Sequence, residues 1–317
     1  MKLSDADPDT RRAAFGNAGE ALRIPLRQLE KDFWVTSVLR ALAAEYGGQF
    51  LFKGGTSLSK GWKIIRRFSE DIDLLLLSEP GTPTDTLLDR LTATAEKVCK
   101  SRASVTSETP GYARVIEVAY PELPNTPKAP GLRRRIQLEP GIRGGPYPQA
   151  TIAVAPLLVE GIPSFDTSDW EDLQPFEVDT LHPGRTFVEK LFAVHSLAMR
   201  LIADPHLNVK GTSARHFYDL YFLCDKQTSP ALELLEDNAT YEELIEDCER
   251  VSAQWFPEDA VTRPEGGFRA SPAFVDESLA ERIGPAFDKT MAELCYPDAE
   301  RPSFQETQER LRTLPWL

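Results

Sequence analysis

The 317-residue sequence predicts an α+β protein, with an N-terminal half of mixed strands and helices and a mostly helical C-terminal half. Three observations carry that expectation. A short apolar strand, a double glycine and an acidic strand follow one another between Gln49 and Leu77. Candidate strands then recur from Ala103 to Ala155, and from about Gly184 onward the apolar spacing turns helical. The join is expected near residues 160 to 184, giving an α/β core over 1–170 and a helical domain over 171–317 that completes the active-site cleft.

The elements are read in order. Leu29, Phe33, Leu39 and Leu42 recur at helical spacing from Leu29 to Tyr46, and Gly47-Gly48 ends that helix. Gln49 to Lys53 reads as a strand, Thr56 to Ile65 as a helix whose N-terminus faces the glycines, and Ile72 to Leu77 as an apolar strand. A helix over Asp85 to Arg102 precedes strands at Ala103–Ser107, Ala113–Tyr120, Leu132–Glu139 and Thr151–Ala155, with a proline-rich loop from Tyr120 to Gly131. Helices are expected at Thr186–Ala203, Ser213–Lys226, Tyr241–Trp255, Pro272–Leu294 and Ser303–Leu314. No internal repeat is present.

A hydrophobic content of 41% with 27% charged residues fits an ordinary globular protein. No apolar run is long enough to span a bilayer and the N-terminus lacks an apolar signal core, so a soluble, cytoplasmic protein without a membrane partner is expected. Cys99, Cys224, Cys248 and Cys295 are scattered and read as reduced thiols. The net charge of −13 arises entirely in residues 231 to 300, which hold 18 acidic and 5 basic side chains; elsewhere the count is balanced at 31 each. Inside that balanced part lie Lys53, Lys60, Lys63, Arg66 and Arg67 with no acid among them, and the consecutive Arg133, Arg134 and Arg135. Solvated helix faces are the plain explanation of such runs.

The chemistry concentrates in KGGTSLSKGWKIIRRFSEDID, from Lys53 to Asp73. Two Asp at i and i+2 on a strand point to the same side, where they repel each other and call for a divalent cation. Gly54, Gly55, Thr56 and Ser57 supply backbone amides and hydroxyls suited to phosphate oxygens, although no Walker A spacing follows. Two-metal phosphoryl transfer calls for a further carboxylate. Glu139, at the end of RRRIQLE, is the candidate and Glu117, in RVIEVAY, its competitor; for both, an ordinary surface acid is the alternative. Lys190 lies toward the apolar arc of its helix, where an amine either snorkels to water or meets a phosphate. Asp219, one turn after Arg215, is either an i, i+4 ion pair or the group that orients Lys190 or Arg215. No nucleophile elbow or metal-binding histidine pattern occurs, which leaves His182, His195, His206 and His216 to packing or hydrogen bonding.

FKGGTSLSK, SEDIDL, TLHPGRTFVEKL and RHFYDLY, in that order, resemble the AbiEii/AbiGii-type nucleotidyltransferase toxins, a branch of the polymerase-β-like superfamily that includes tRNA-modifying mycobacterial toxins. The resemblance covers residues 28 to 225 and leaves the acidic C-terminal region outside. It implies a polymerase-β-like core, a phosphate loop at Gly54, Gly55 and Thr56, metal ligands at Asp71 and Asp73, a triphosphate contact at Lys190 and an active-site role for Asp219. It further implies transfer of a nucleoside monophosphate from an NTP with two Mg²⁺ ions, an RNA acceptor such as a tRNA 3′ end, and a cognate antitoxin. Lys60, Lys63, Arg66, Arg67 and Arg133 to Arg135 are then the expected RNA contacts. Phosphorylation of Ser69, two residues before Asp71, is expected to obstruct nucleotide binding. A small-molecule nucleotidyltransferase and a catalytically silent nucleotide-binding module are the competing expectations.

Overall fold

The strands are β1 (Phe50–Lys53), β2 (Asp71–Leu76), β3 (Ala103–Thr109), β4 (Ala113–Ala119), β5 (Arg135–Gly141), β6 (Gln149–Val154) and β7 (Phe176–Leu181). The computed structural model of the chain describes residues 1–77, 84–126, 132–163, 166–255, 257, 260–314 and 317, so residues 127–131 of the proline-rich loop lie outside the described residues. Among the described residues the strands form one mixed sheet in the order β3-β4-β5-β2-β1-β7-β6. β1 runs antiparallel to β2, and β2 runs parallel to β5, so the acidic strand is central and paired on both sides.

The chain divides into two units. The first comprises Met1–Gly61, Phe68–Ile142 and Gln149–Thr180 and holds the sheet. The second comprises Leu181–Leu317 with two excursions from the N-terminal half, Trp62–Arg67 and Arg143–Pro148.

In the sheet unit, α1 (Pro8–Leu22), α2 (Leu26–Tyr46) and α4 (Asp85–Cys99) are the long helices, and α3 (Gly54–Thr56) is a single turn after β1. Asp7 caps α1, accepting from the amides of Asp9 and Thr10 at 3.0 Å each. Sequence periodicity does not reveal α1, because only Arg11, Phe15 and Ala18 of its side chains are buried. It packs through small groups instead: a Cβ on Gly161 would lie 2.7 Å from the Ala18 Cα. α2 is buried on every side from Leu29 to Leu39. The sheet residues Ile72, Leu74, Ile116, Val118, Ile136 and Leu138 are at most 1% exposed and make the core with it.

The segment after the glycines departs from expectation. Instead of a helix to Ile65, one α turn passes into a π turn, Ser57–Gly61, and the helix stops. Two contacts explain the stop. A Cβ on Gly61 would come within 2.1 Å of Ile152 Cδ1 on β6, so the chain here is pressed against the sheet. Lys63 then takes a left-handed conformation with φ 55°, and Ile64 and Ile65 turn into the core.

The helical unit contains α5 (Pro183–Ala203), α6 (Gly211–Leu223), α7 (Ala231–Leu235), α8 (Asn238–Trp255), α9 (Pro272–Val275), α10 (Glu277–Leu294) and α11 (Phe304–Arg312). Its core includes Phe217 against Phe274 and Phe304. The single helix expected over Pro272–Leu294 is broken at Asp276, whose extended backbone and side-chain cap on the Ser278 amide (2.9 Å) start α10. No helix among the described residues is long and apolar enough to cross a membrane.

Candidate active site

Strand register decides which carboxylates are neighbours. β2 and β5 pair Asp71 with Gln137 and Asp73 with Glu139, and paired residues in adjacent strands project to the same face. Asp71, Asp73 and Glu139 therefore share one face, opposite the apolar set Ile72, Leu74, Ile136 and Leu138. Lys53 is paired with Asp73 from the other side, on β1. Glu117 pairs with Gln137 from β4, which puts it two strands from β2, about 9 to 10 Å at the usual strand spacing. Glu139 sits on the adjacent strand, directly beside Asp73.

Gly54 is shaped by this arrangement. Its φ is +76°, and a Cβ there would lie 2.1 Å from Asp73 Oδ2, so only glycine lets the turn close over the Asp73 carboxylate. The next residues are not turned as the sequence suggested. Thr56 and Ser57 are fully buried. The Thr56 hydroxyl donates to the Asp71 carbonyl oxygen, and the Ser57 hydroxyl donates to the Gly54 carbonyl oxygen at 2.9 Å. The Thr56 hydroxyl braces the turn against β2, and the Ser57 hydroxyl closes the turn on itself. Ser69 Oγ lies 2.8 Å from Thr56 Oγ1 and is half-buried.

Oxygen-only donors suit a hard divalent cation, and Asp71, Asp73 and Glu139 provide three carboxylates on one face. Neighbouring side chains engage this face. Gln137 donates to Glu139, and Arg133 both donates to Gln137 and approaches Asp71 Oδ1 at 3.6 Å. Accordingly, no group of three acidic, histidine or cysteine side chains among the described residues is gathered tightly enough to hold an ion as it stands. The donor chemistry and face fit a metal; the side chains close on it only by exchanging Gln137 and Arg133.

In the helical unit, Lys190 is 7% exposed on α5 and Asp219 is 0% exposed on α6. Asp219 accepts from Arg67 Nε and Nη2 at 2.7 Å each and pairs with Lys190 Nζ at 2.7 Å. Its partners are thus Lys190, one of the two cations the sequence offered, and Arg67, far away in sequence. Burial alone would raise the Asp219 carboxyl, but Arg67 and then Lys190 outweigh it and hold the group below the ordinary carboxylate range. Burial lowers the Lys190 ammonium, and Asp219 offsets this only in part because the positive charge of Arg67 opposes it. His216 Nδ1 lies 3.3 Å from Lys190 Nζ; burial and then Lys190 push its pKa well below the usual histidine value. The contact agrees with the expectation of packing or hydrogen bonding for His216, and its partner comes from the neighbouring helix α5.

Two of the expected RNA contacts are corrected. Arg67 is 1% exposed and committed to Asp219, and Lys60 is 9% exposed with its ammonium on Asp32. Lys63, Arg66, Arg133, Arg134 and Arg135 are exposed. Of these, Arg66 pairs with Asp298 at 2.6 Å and Arg134 with Glu122.

A family model described as nucleotidyl transferase AbiEii toxin, type IV toxin–antitoxin system, matches residues 37–310. The chain belongs to the AbiEii nucleotidyltransferase toxin family. It is therefore a nucleotidyltransferase, an enzyme class that works on an NTP with a divalent metal, and a toxin paired with an antitoxin. The match runs well past residue 225, so the acidic C-terminal region is part of the AbiEii architecture rather than an addition to it. Among solved structures, the toxin's fold is similar to MenT4, a nucleotidyltransferase toxin from Mycobacterium tuberculosis H37Rv, with a TM-score of 0.55 and 17% identity over 97% of this chain and 87% of that one. No curated protein sequence matches.

Proposed function

We propose that this AbiEii toxin transfers a nucleoside monophosphate from an NTP to an RNA acceptor, the 3′ end of a tRNA, and so blocks aminoacylation in the cytoplasm. The observation that carries the reading is the register that sets Asp71, Asp73 and Glu139 on one face beneath the Gly54 turn. Asp71, Asp73 and Glu139 would hold two Mg²⁺ ions, which when bound neutralise triphosphate charge and lower the pKa of the attacking hydroxyl. The acceptor oxygen attacks the α-phosphorus, the bond to the bridging oxygen of the β-phosphate breaks, and pyrophosphate leaves. Gly54 presents backbone where only a Cβ-free residue fits beside Asp73, and Gly55 follows it in the same turn. Arg67 and Lys190 share the single carboxylate of Asp219, and that surplus of positive charge suits triphosphate oxygens.

The exposed Lys63, Arg66 and Arg133 to Arg135 support an RNA acceptor. A small-molecule acceptor is the second reading, favoured by the inward turn of Lys60 and Arg67, which thins the basic run. Incubation with total tRNA, Mg²⁺ and each labelled NTP in turn tests both. Label is expected in tRNA, falling on the order of 100- to 1000-fold in Asp71→Ala and Lys190→Ala, the scale of losing one transition-state electrostatic contact. RNA that stays unlabelled with every NTP would end the RNA reading.

A further inference from the structure

α2 carries three consecutive charged residues, Glu30, Lys31 and Asp32, that are 0%, 0% and 4% exposed. At 3.6 residues per turn, three in a row sweep about 200° of the helix and cannot share one solvent-facing stripe. Each reaches a different segment of the sheet unit. Glu30 accepts from the Leu123 amide. Asp32 accepts from Lys60, in the turn that follows the glycines, and from the Leu157 amide at 2.7 Å. The Lys31 ammonium donates to Glu70 and to the carbonyl oxygen of Arg133 at 2.8 Å.

Those two partners occupy matching places. Glu70 immediately precedes β2, and Arg133 lies two residues before β5. One buried ammonium therefore grips the entries of the two parallel strands that carry Asp71, Asp73 and Glu139. An ammonium removed from water is unfavourable unless paired and hydrogen-bonded, and an apolar pair of similar volume serves stability as well or better. What an apolar pair does not supply is a directed link between two particular strand entries.

We propose that Lys31 is a positioning residue for the metal carboxylates: by linking Glu70 to the Arg133 carbonyl, it fixes how far β5 is advanced along β2 and so keeps Glu139 beside Asp73. The role rests on the reading of those carboxylates as metal ligands. Lys31 touches neither nucleotide nor metal; it acts through the strands.

The test is Mn²⁺ binding, titrated by electron paramagnetic resonance without nucleotide, in wild type, Lys31→Met/Glu70→Gln, Lys31→Arg and Asp71→Ala. Replacing both charges leaves no buried carboxylate stranded, so the double variant is expected to melt near the wild-type temperature. Its Mn²⁺ affinity is expected to fall about 10-fold or more, the range for groups that orient metal ligands. Lys31→Arg keeps the charge but replaces the compact ammonium with a wider planar fork that cannot sit between the same two acceptors without moving the strand entries, and the same loss is expected; it serves as the readout if the double variant does not fold. Wild-type Mn²⁺ affinity in the folded Lys31 variants, with binding lost in Asp71→Ala, would overturn the role of Lys31 and leave the metal reading standing. Unchanged binding in Asp71→Ala would overturn the metal reading and the inference together.

Discussion

The carboxylate face of the sheet unit and the ion cluster of the helical unit are both built from charge, but they balance it in opposite ways. On the sheet, Asp71, Asp73 and Glu139 lie together on one face, with Arg133 and Lys53 as the nearby cations. In the helical unit one carboxylate serves two cations, Arg67 and Lys190, with His216 held neutral beside them. The first gathers acid at a half-exposed face and suits a cation. The second buries a surplus of positive charge and suits an anion. Register supplies the geometry in the first, since each carboxylate is fixed by its strand position. In the second, geometry comes from buried hydrogen bonds, so one lost partner is felt at once.

That contrast is broken most directly at Asp219. Asp219→Asn removes the carboxylate that the buried Arg67 guanidinium and Lys190 ammonium both contact and is expected to destabilise the protein by about 3 to 5 kcal/mol, read from urea unfolding. Asp71→Ala, which relieves repulsion on a face already rich in acid, should lack that effect. A smaller effect concerns pH. All four histidines lie at His182 or beyond. His182, His195 and His216 are each lowered, first by burial, so their folded-state pKa lies below the unfolded value. The unfolded chain then binds more protons as pH falls below about 6.5, and stability is lost on acidification, by up to about 1.4 kcal/mol per pH unit for each group. Denaturation midpoints from pH 7.5 to 5.5 should show the loss, and His216→Asn should flatten it. The smallest effect is expected at Thr56. Thr56→Val removes the hydroxyl's contacts with the Asp71 carbonyl and Ser69 Oγ, about 1 kcal/mol in all, with the KM for NTP unchanged; a raised KM would instead place that hydroxyl on a phosphate.

Much of this is legible in the sequence wherever chemistry and local pattern coincide. Gly54 beside an acidic strand, the Asp71 and Asp73 pair, and Lys190 on the apolar arc of α5 are all read from spacing. The choice of Glu139 over Glu117 is not, because both alternate correctly on their own strands and only the pairing of β4, β5 and β2 separates them. Arg67 is misread for a similar reason. Its neighbours Lys63 and Arg66 are exposed, and nothing local signals that its guanidinium meets Asp219 from 152 positions away. α1 is hidden because it packs through Ala18 and Gly161 rather than through large apolar groups. The triplet Glu30-Lys31-Asp32 did carry a signal: three adjacent charges inside an apolar helix cannot all find water.

The pairing of Asp73 with Glu139 has a consequence for how this enzyme can fail. A slip of one residue between β2 and β5 would bring Leu138 or Pro140 level with Asp73 and send Glu139 to the opposite side. The same slip would turn Ile136 and Leu138 out of the core, and no carboxylate would stand beside Asp73. On the reading of these carboxylates as metal ligands, a chain that misaligns while folding is expected to lose transfer outright rather than to work more slowly.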